Sequence, residues 1–192
     1  MNTRDLLSLL SGLAYAGSAA FYVIHVAKAK IKPNIGSFLI WSFMNTSLLV
    51  SLLAAHVWNS VPFAAVATIH TITVCFLSLK RRKFYFSKVD LIAAVLGVSG
   101  VALWLLTRQA EWNIYIVNLV NAIVFVPLLA KTIKFPHYET PQPWYANLLG
   151  ATLLLLSTPY LSLVYLVTPL TQFVCSVSIN SVLYRKRPLD KK

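Results

Sequence analysis

Charged residues are scarce in this chain, and their scarcity excludes a soluble globular protein. Only 11% of the 192 residues are charged, while 58% are hydrophobic. Soluble domains carry about 25% charged residues, so this chain has too few polar side chains to cover a surface that faces water. The mean hydropathy of +0.70 indicates instead an all-α integral membrane protein, with the lipid bilayer as its first partner.

Side chains that usually perform catalysis or hold metal ions are few as well. The chain has five acidic residues, four histidines and two cysteines. The sequence contains no nucleophile–base pairing, glycine-rich phosphate loop, paired carboxylates or metal-ligand spacing. Cys75 and Cys175 lie within apolar stretches, where small buried hydrophobic residues are more common than a disulfide or metal pair. We therefore expect no enzyme activity, no metal and no cofactor.

The excess of basic over acidic residues does not indicate nucleic-acid binding. The net charge is +12, but the Lys and Arg residues are confined to short segments between apolar stretches. They form no basic face and no platform of aromatic and basic residues. No nucleic-acid partner is expected.

Apolar stretches separated by these basic segments predict seven membrane spans. A helix needs about 20 residues to cross a bilayer core, with a range of roughly 17 to 25. The fourth to sixth stretches are shorter and must include flanking residues. The first stretch is too long for the apolar region of a signal peptide, so we predict that it is retained as a span. The predicted spans are Leu6–Ala27, Phe38–Trp58, Val61–Leu79, Val89–Leu106, Ile114–Ala130, Trp144–Ser157 and Tyr160–Leu183.

The basic residues also predict how the spans are oriented. In the seven-span arrangement, all Lys and Arg residues except Arg4 and Arg108 fall on one side of the membrane. Short loops rich in Lys and Arg stay in the cytoplasm. The sequence thus predicts a multi-pass protein of the cell membrane with its N-terminus outside and its C-terminus in the cytoplasm.

Two similar segments indicate an internal duplication. Lys28–Trp41 aligns without a gap with Lys131–Trp144, 103 residues later, and Lys, Pro, a hydroxyl residue and Trp recur in register. A period near 100 residues in so apolar a chain is typical of duplicated membrane units and not of a solenoid. We predict two parallel three-helix repeats joined by a linker helix. The repeats are residues 1–83 and 111–192, the second with a basic cytoplasmic tail, and the linker is residues 84–110.

Uncharged polar residues are the candidates for a binding site, because no predicted span carries a central Lys, Arg, Asp or Glu. Carriers driven by protons or sodium usually keep such a group at depth, so facilitated movement of a neutral or weakly polar solute is favoured. Polar side chains of both repeats lie near one depth, which predicts a solute pocket. Alternatively, each of them only stitches helices together, at about 0.6 to 2 kcal/mol. One of them, His70, could instead carry a proton or be a satisfied core histidine. The candidate substrate-binding residues are Ser18, Asn45, His70, Thr73, Asn118, Asn121, Gln172 and Ser176.

Four prolines are candidate hinges. A proline removes a backbone hydrogen bond and bends or ends a helix. Pro127 lies within the predicted fifth span, where the membrane protein must accommodate the lost backbone hydrogen bond. The other three lie at predicted cytoplasmic ends of spans, where they either form an inner gate or only end helices. The candidates are Pro33, Pro127, Pro136 and Pro141.

Two segments of the second half match a pattern found in membrane transporters. Val126–Thr132, followed by Glu139–Pro141, looks like a fifth-span proline, a Lys-Thr segment and an acidic-hydroxyl turn, and Pro169–Arg185 looks like a seventh span. In these features the chain resembles the SWEET and PQ-loop superfamily. Leu128 stands where the family often has Gln, and Leu170 stands where sugar-carrying members have a pocket Asn. The resemblance implies a seven-helix fold and transport more strongly than it implies sugar as the solute.

Two functions of different classes remain open at the level of sequence. The first is a uniporter that moves a small neutral or weakly polar solute, sugar-like or vitamin-like, by alternating access between the two repeats. The second is a membrane receptor, or a subunit of a complex, that uses the same scaffold without transporting. Self-association and association with another membrane protein are both left open.

Overall fold

Seven α-helices and one short 3-10 turn form the described part of the chain. The structure is a computed structural model that describes residues 2–30, 33, 35–79, 88–134 and 141–185, without the side chains of residues 127 and 131. No β-strand occurs in those ranges, so the all-α prediction is confirmed. The elements are α1 (Thr3–Ala27), α2 (Ile35–Ala54), the 3-10 turn (Trp58–Ser60), α3 (Val61–Leu79), α4 (Lys88–Thr107), α5 (Glu111–Lys134), α6 (Pro141–Leu156) and α7 (Leu163–Arg185).

Six of these helices are long and apolar enough to cross a membrane. They are α1, α2, α3 together with the 3-10 turn, α4, α5 and α7. Helix α6 has 16 residues and rises about 24 Å, which is less than the roughly 30 Å of a hydrocarbon core. The described chain is therefore compatible with a multi-pass membrane protein, although α6 does not reach the length of a seventh span by itself.

Several helix ends differ by three or four residues from the predicted spans, among them the end of α2 and the start of α7. Helix α2 ends at Ala54 because His56 takes a left-handed conformation with φ 56°, which closes the helix. Trp58, predicted to end the second span, lies instead in the 3-10 turn. Helix α7 begins at Leu163, three residues later than predicted, and Pro169 lies inside it.

Contacts between α1 and α3 give the relative direction of these two helices. The Ser8 hydroxyl, near the start of α1, donates a hydrogen bond to the backbone oxygen of Asn59, just before α3, at 2.7 Å. Further along both helices, the rings of Tyr22 and His70 lie 5.5 Å apart between centroids. The two helices therefore run parallel.

Two more hydrogen bonds orient α6 and α5. A guanidinium nitrogen of Arg4 donates to the backbone oxygen of Pro159, which follows α6, at 3.0 Å. The Asn113 amide, near the start of α5, donates to the Ser51 hydroxyl, near the end of α2, at 2.7 Å. Helices α1, α3, α5 and α7 thus begin at one end of the bundle, called here the N-terminal end, where α2 and α6 finish.

In each half of the chain, one helix packs against two others of the same half. Helix α3 packs against both α1 and α2, and α7 packs against both α5 and α6. Between the halves, α1 packs extensively on α6, while α2 packs on α5. Helix α4 packs on α5 and, less extensively, on α2.

Apolar side chains fill two interior clusters and also cover the outside. The larger cluster is centred on α2 and α5, and the smaller one joins α1, α2 and α3 near the other end of the bundle. Leu13, Ile69, Phe76 and Leu106 are each more than half exposed. An apolar exterior of this kind suits lipid and not water.

Candidate functional site

One face of α7 carries a polar side chain at every fourth position. Thr168, Gln172, Ser176 and Asn180 follow one another at this spacing, which places them in a line along the helix. Thr168, Ser176 and Asn180 are buried, and Gln172 is half-buried. This line, the α7 polar stripe, therefore faces the packed interior. Gln172 and Ser176 were predicted from sequence, whereas Thr168 and Asn180 were missed, although the repeated spacing could have revealed them.

The part of the stripe nearest the N-terminal end is tied to α5. The Asn118 amide donates hydrogen bonds to the Thr168 hydroxyl at 2.9 Å and to the backbone oxygen of Ile114 at 2.8 Å. Asn118 is only 1% exposed, and its side-chain oxygen has no partner among the described residues. Asn121 lies about one turn further along α5, and Gln172 about one turn further along α7. Both are half-buried and continue the polar line on parallel helices.

The other end of the stripe is tied to α6. The Asn180 amide donates to the backbone oxygens of Trp144 at 2.9 Å and of Ser176 at 2.8 Å. At this end of the stripe, three buried oxygens have no hydrogen-bond partner among the described residues: Oδ1 of Asn180, Oγ of Ser176 and Oδ1 of Asn147. A buried polar atom without a partner costs about 1 to 3 kcal/mol, so these atoms favour water or a solute that forms hydrogen bonds.

In the first half of the chain, His70 lies among aromatic rings. Both nitrogens of its imidazole are buried and find no hydrogen-bond partner among the described residues. The rings of Tyr15, Tyr22 and Phe38 surround it at centroid distances of 6.3, 5.5 and 6.4 Å, each nearly perpendicular to the imidazole. Phe63 packs on Tyr15 at 4.5 Å. These five residues form the His70 aromatic cluster.

The remaining candidates of the first half are not joined to the α7 polar stripe. Ser18 and Asn45 are half-buried on α1 and α2. The Thr73 hydroxyl donates to the backbone oxygen of Ile69, in its own helix, at 2.7 Å. Within the described ranges, no hydrogen bond or ring contact links a first-half candidate to the stripe. The prediction that the eight residues line one solute pocket therefore stays a prediction.

The four hinge candidates have different surroundings. Pro127 lies within the helical range of α5, and Pro141 is the first residue of α6, where a proline fits without distortion. Pro33 lies in the connection between α1 and α2, and Pro136 lies outside the described residues. Pro169 is an interior residue of α7, and it also lies inside the predicted seventh span.

A polar contact at the N-terminal end of the bundle was missed by the sequence analysis. Asn113 is fully buried and donates to the Ser51 hydroxyl at 2.7 Å and to the backbone oxygen of Ser47 at 3.2 Å. Gly100 of α4 makes room for it, because a Cβ there would come within 2.7 Å of the Asn113 oxygen. Asn113 therefore joins α5 to α2 beneath α4.

Comparisons with protein-family models, characterised proteins and solved structures find no match. The resemblance to the SWEET and PQ-loop superfamily therefore stays a prediction based on the quoted residues.

The chemistry available in both regions is hydrogen bonding and ring stacking. The described Lys, Arg, Asp and Glu side chains lie close to helix ends or in connections. Among the described residues, no three His, Cys, Asp or Glu side chains come together in a way that could hold a metal ion. The arrangement thus suits an uncharged ligand.

Proposed function

We propose that this protein is a multi-pass membrane transporter that facilitates movement of a small neutral or weakly polar solute. The observation that carries this proposal is the α7 polar stripe. It runs from Thr168, near the start of the helix, to Asn180, near its end, and it holds acceptors without partners in the described chain. A line of buried hydrogen-bonding groups through an apolar bundle offers a solute successive partners across the membrane.

The packing between the two halves supports a duplicated architecture of three helices, a linker and three helices. The first helix of each proposed unit meets the second helix of the other, since α1 contacts α6 and α2 contacts α5. Gly150 of α6 lies against Ser11 of α1. At the 103-residue spacing, Gly150 aligns with Ser47, and Ser11 aligns with Ile114. The backbone oxygen of Ser47 accepts a hydrogen bond from Asn113, the residue directly before Ile114. A two-fold relation between parallel units would produce these matching contacts at aligned positions, as in SWEET-like proteins.

Two prolines inside helices of the second half support a transport cycle. Proline has no backbone N–H, so Pro127 and Pro169 deprive the backbone oxygens of Ile123 and Tyr165 of their usual helical donors. Bends at these positions would let parts of α5 and α7 move against the first half, as alternating access requires.

The distribution of basic residues sets the proposed orientation. The N-terminal end of the bundle holds Arg4 and Arg108. The other basic residues lie in the last turns of α5 and α7, at the start of α4, or in the sequence that follows α1, α3 and α7. By the positive-inside rule, the N-terminal end faces outward and the C-terminus is cytoplasmic.

Substitutions along α5 and α7 test the proposal. We expect Asn121→Ala and Gln172→Ala to reduce uptake of the transported solute by proteoliposomes at least about tenfold, because each removes a hydrogen bond offered at depth. The matched control is Ser178→Ala, because Ser178 lies on another face of α7 and donates only to Val174 of its own helix. The control should transport like the wild type. Normal uptake by both Asn121→Ala and Gln172→Ala would remove the stripe from the pathway.

A receptor or complex subunit on the same scaffold is the second candidate function. The hydrogen bonds from Asn118 to Thr168 and from Asn180 to Trp144 favour it, because they join helices in the way that purely structural polar residues do. Reconstituted wild-type protein that transports none of a broad set of neutral solutes would favour this candidate over the carrier.

A further inference from the structure

The aromatic rings around His70 continue into a longer array that links three helices. The rings follow one another in the order Phe63, Tyr15, His70, Tyr22, Phe38 and Trp41. Successive centroids are 4.5, 6.3, 5.5, 5.9 and 5.3 Å apart. Helices α1, α2 and α3 each contribute two of these rings. The contacts between α1, α2 and α3 in this region are thus largely contacts between rings.

His70 is the polar group at the centre of the array. A neutral imidazole offers one N–H donor and one nitrogen acceptor, and both nitrogens of His70 are buried without a partner in the described chain. A neighbouring ring face can accept the N–H weakly, but it gives nothing to the acceptor nitrogen. The rings of Tyr15, Tyr22 and Phe38 are each nearly perpendicular to the imidazole, an ordinary edge-to-face arrangement for ring pairs.

We propose that the His70 aromatic cluster binds the solute, and that this solute is an uncharged planar ring compound that carries a hydrogen-bonding group such as an amide. Planar rings stack on the aromatic side chains, and an amide pairs with one of the two imidazole nitrogens, either donating to the acceptor nitrogen or accepting from the N–H. The described charged side chains lie close to helix ends or in connections, so a charged solute would find no counter-ion here. The proposal rests on the proposed transport function, whose opening cycle would separate the rings enough to admit a ligand.

Three small probes separate the contribution of ring stacking from that of hydrogen bonding. Benzamide has a planar ring and an amide, cyclohexanecarboxamide has the amide on a puckered ring, and toluene has the planar ring without the amide. Equilibrium dialysis of each labelled probe against the purified full-length protein measures specific binding above partition into detergent. We expect the wild type to bind benzamide at least about tenfold more tightly than either of the other two probes.

Two variants assign that preference to the cluster. His70→Phe keeps a ring and removes both nitrogens, so it should weaken benzamide binding about 10- to 100-fold and abolish the preference over toluene. Tyr22→Leu removes one wall and should weaken benzamide binding more than cyclohexanecarboxamide binding. The matched control is His25→Phe, because His25 lies on α1 stacked against Phe21, outside the array. This control should bind all three probes like the wild type.

The outcomes separate this proposal from the proposed function. Equal binding of benzamide by wild type and by His70→Phe, or no preference for benzamide over cyclohexanecarboxamide, overturns the site. A failure of the wild type to bind benzamide at millimolar concentration overturns it too. If any of these binding results is found while another neutral solute is transported, the proposed transport function stands and only the proposed site is wrong. Specific benzamide binding without transport of any solute would support the site and remove the carrier.

Discussion

Asn113 illustrates how a single polar residue acquires its role from the fold. In the sequence it directly precedes the predicted fifth span, in a position typical of a loop. In the structure α5 begins at Glu111, so Asn113 lies in its first turn and reaches across to α2. Hydropathy could not reveal this contact, because it averages over a window and one amide at the edge of an apolar stretch hardly changes the mean.

Removal of the Asn113 amide should weaken the attachment of α5 to α2. We expect Asn113→Ala to destabilise the folded protein by about 0.6 to 2 kcal/mol, the range for hydrogen bonds between membrane helices. Thermal unfolding in detergent measures the change. Ser51→Ala and the double variant complete a double-mutant cycle, and the coupling between the two sites should be a large part of the effect of Asn113→Ala. Strictly additive effects would mean that the 2.7 Å contact contributes nothing to stability.

Helices α1 and α6 make the most extensive contact between the two halves, and this contact includes a glycine. A Cβ at Gly150 would come 3.1 Å from the backbone oxygen of Ser11 and 3.3 Å from the backbone nitrogen of Tyr15. Backbone atoms in the middle of a helix cannot move aside as a flexible side chain can. Any larger residue at position 150 must therefore push the two helices apart.

Gly150→Ala should destabilise the folded protein by about 1 to 3 kcal/mol, the usual cost of overpacking. The matched control is Gly17→Ala on α1, because a Cβ there meets nothing within 4 Å. That change should be neutral or stabilising by up to about 1 kcal/mol, since alanine favours a helix more than glycine does. Unfolding of both variants in the same detergent compares them. Equal stability of the two would contradict the close packing of α1 on α6.

The sequence predicts helix positions well and packed faces poorly, for a physical reason. Hydropathy locates the apolar stretches, and all seven predicted spans overlap a helix. It cannot tell an interior face from an outer one, because lipid and core both accept apolar side chains. Leu13 and Leu48 have the same chemistry, yet one is 68% exposed and the other 1%. The polar residues of α7 are informative instead, because a buried polar group needs a partner.

The orientation of the whole molecule is predicted from charge, and labelling tests it. In a background without Cys75 and Cys175, we expect Gln109→Cys to react with a membrane-impermeant maleimide in intact cells. Gln109 is exposed in the connection between α4 and α5, on the predicted outer side. Lys30→Cys, also exposed but on the predicted inner side, should react only after the membrane is opened. The reverse pattern would invert the topology.

At the scale of the whole molecule, the central claim is that the chain carries a solute, and osmotic re-swelling of proteoliposomes tests it most directly. Vesicles with wild-type protein are shrunk in a series of uncharged solutes that includes sugars, polyols and ring amides, and light scattering follows their recovery. We expect faster recovery than in protein-free vesicles for at least one solute, a rate that saturates with solute concentration, and a loss of this advantage in Gln172→Ala. Recovery identical to that of protein-free vesicles in every solute would contradict the account.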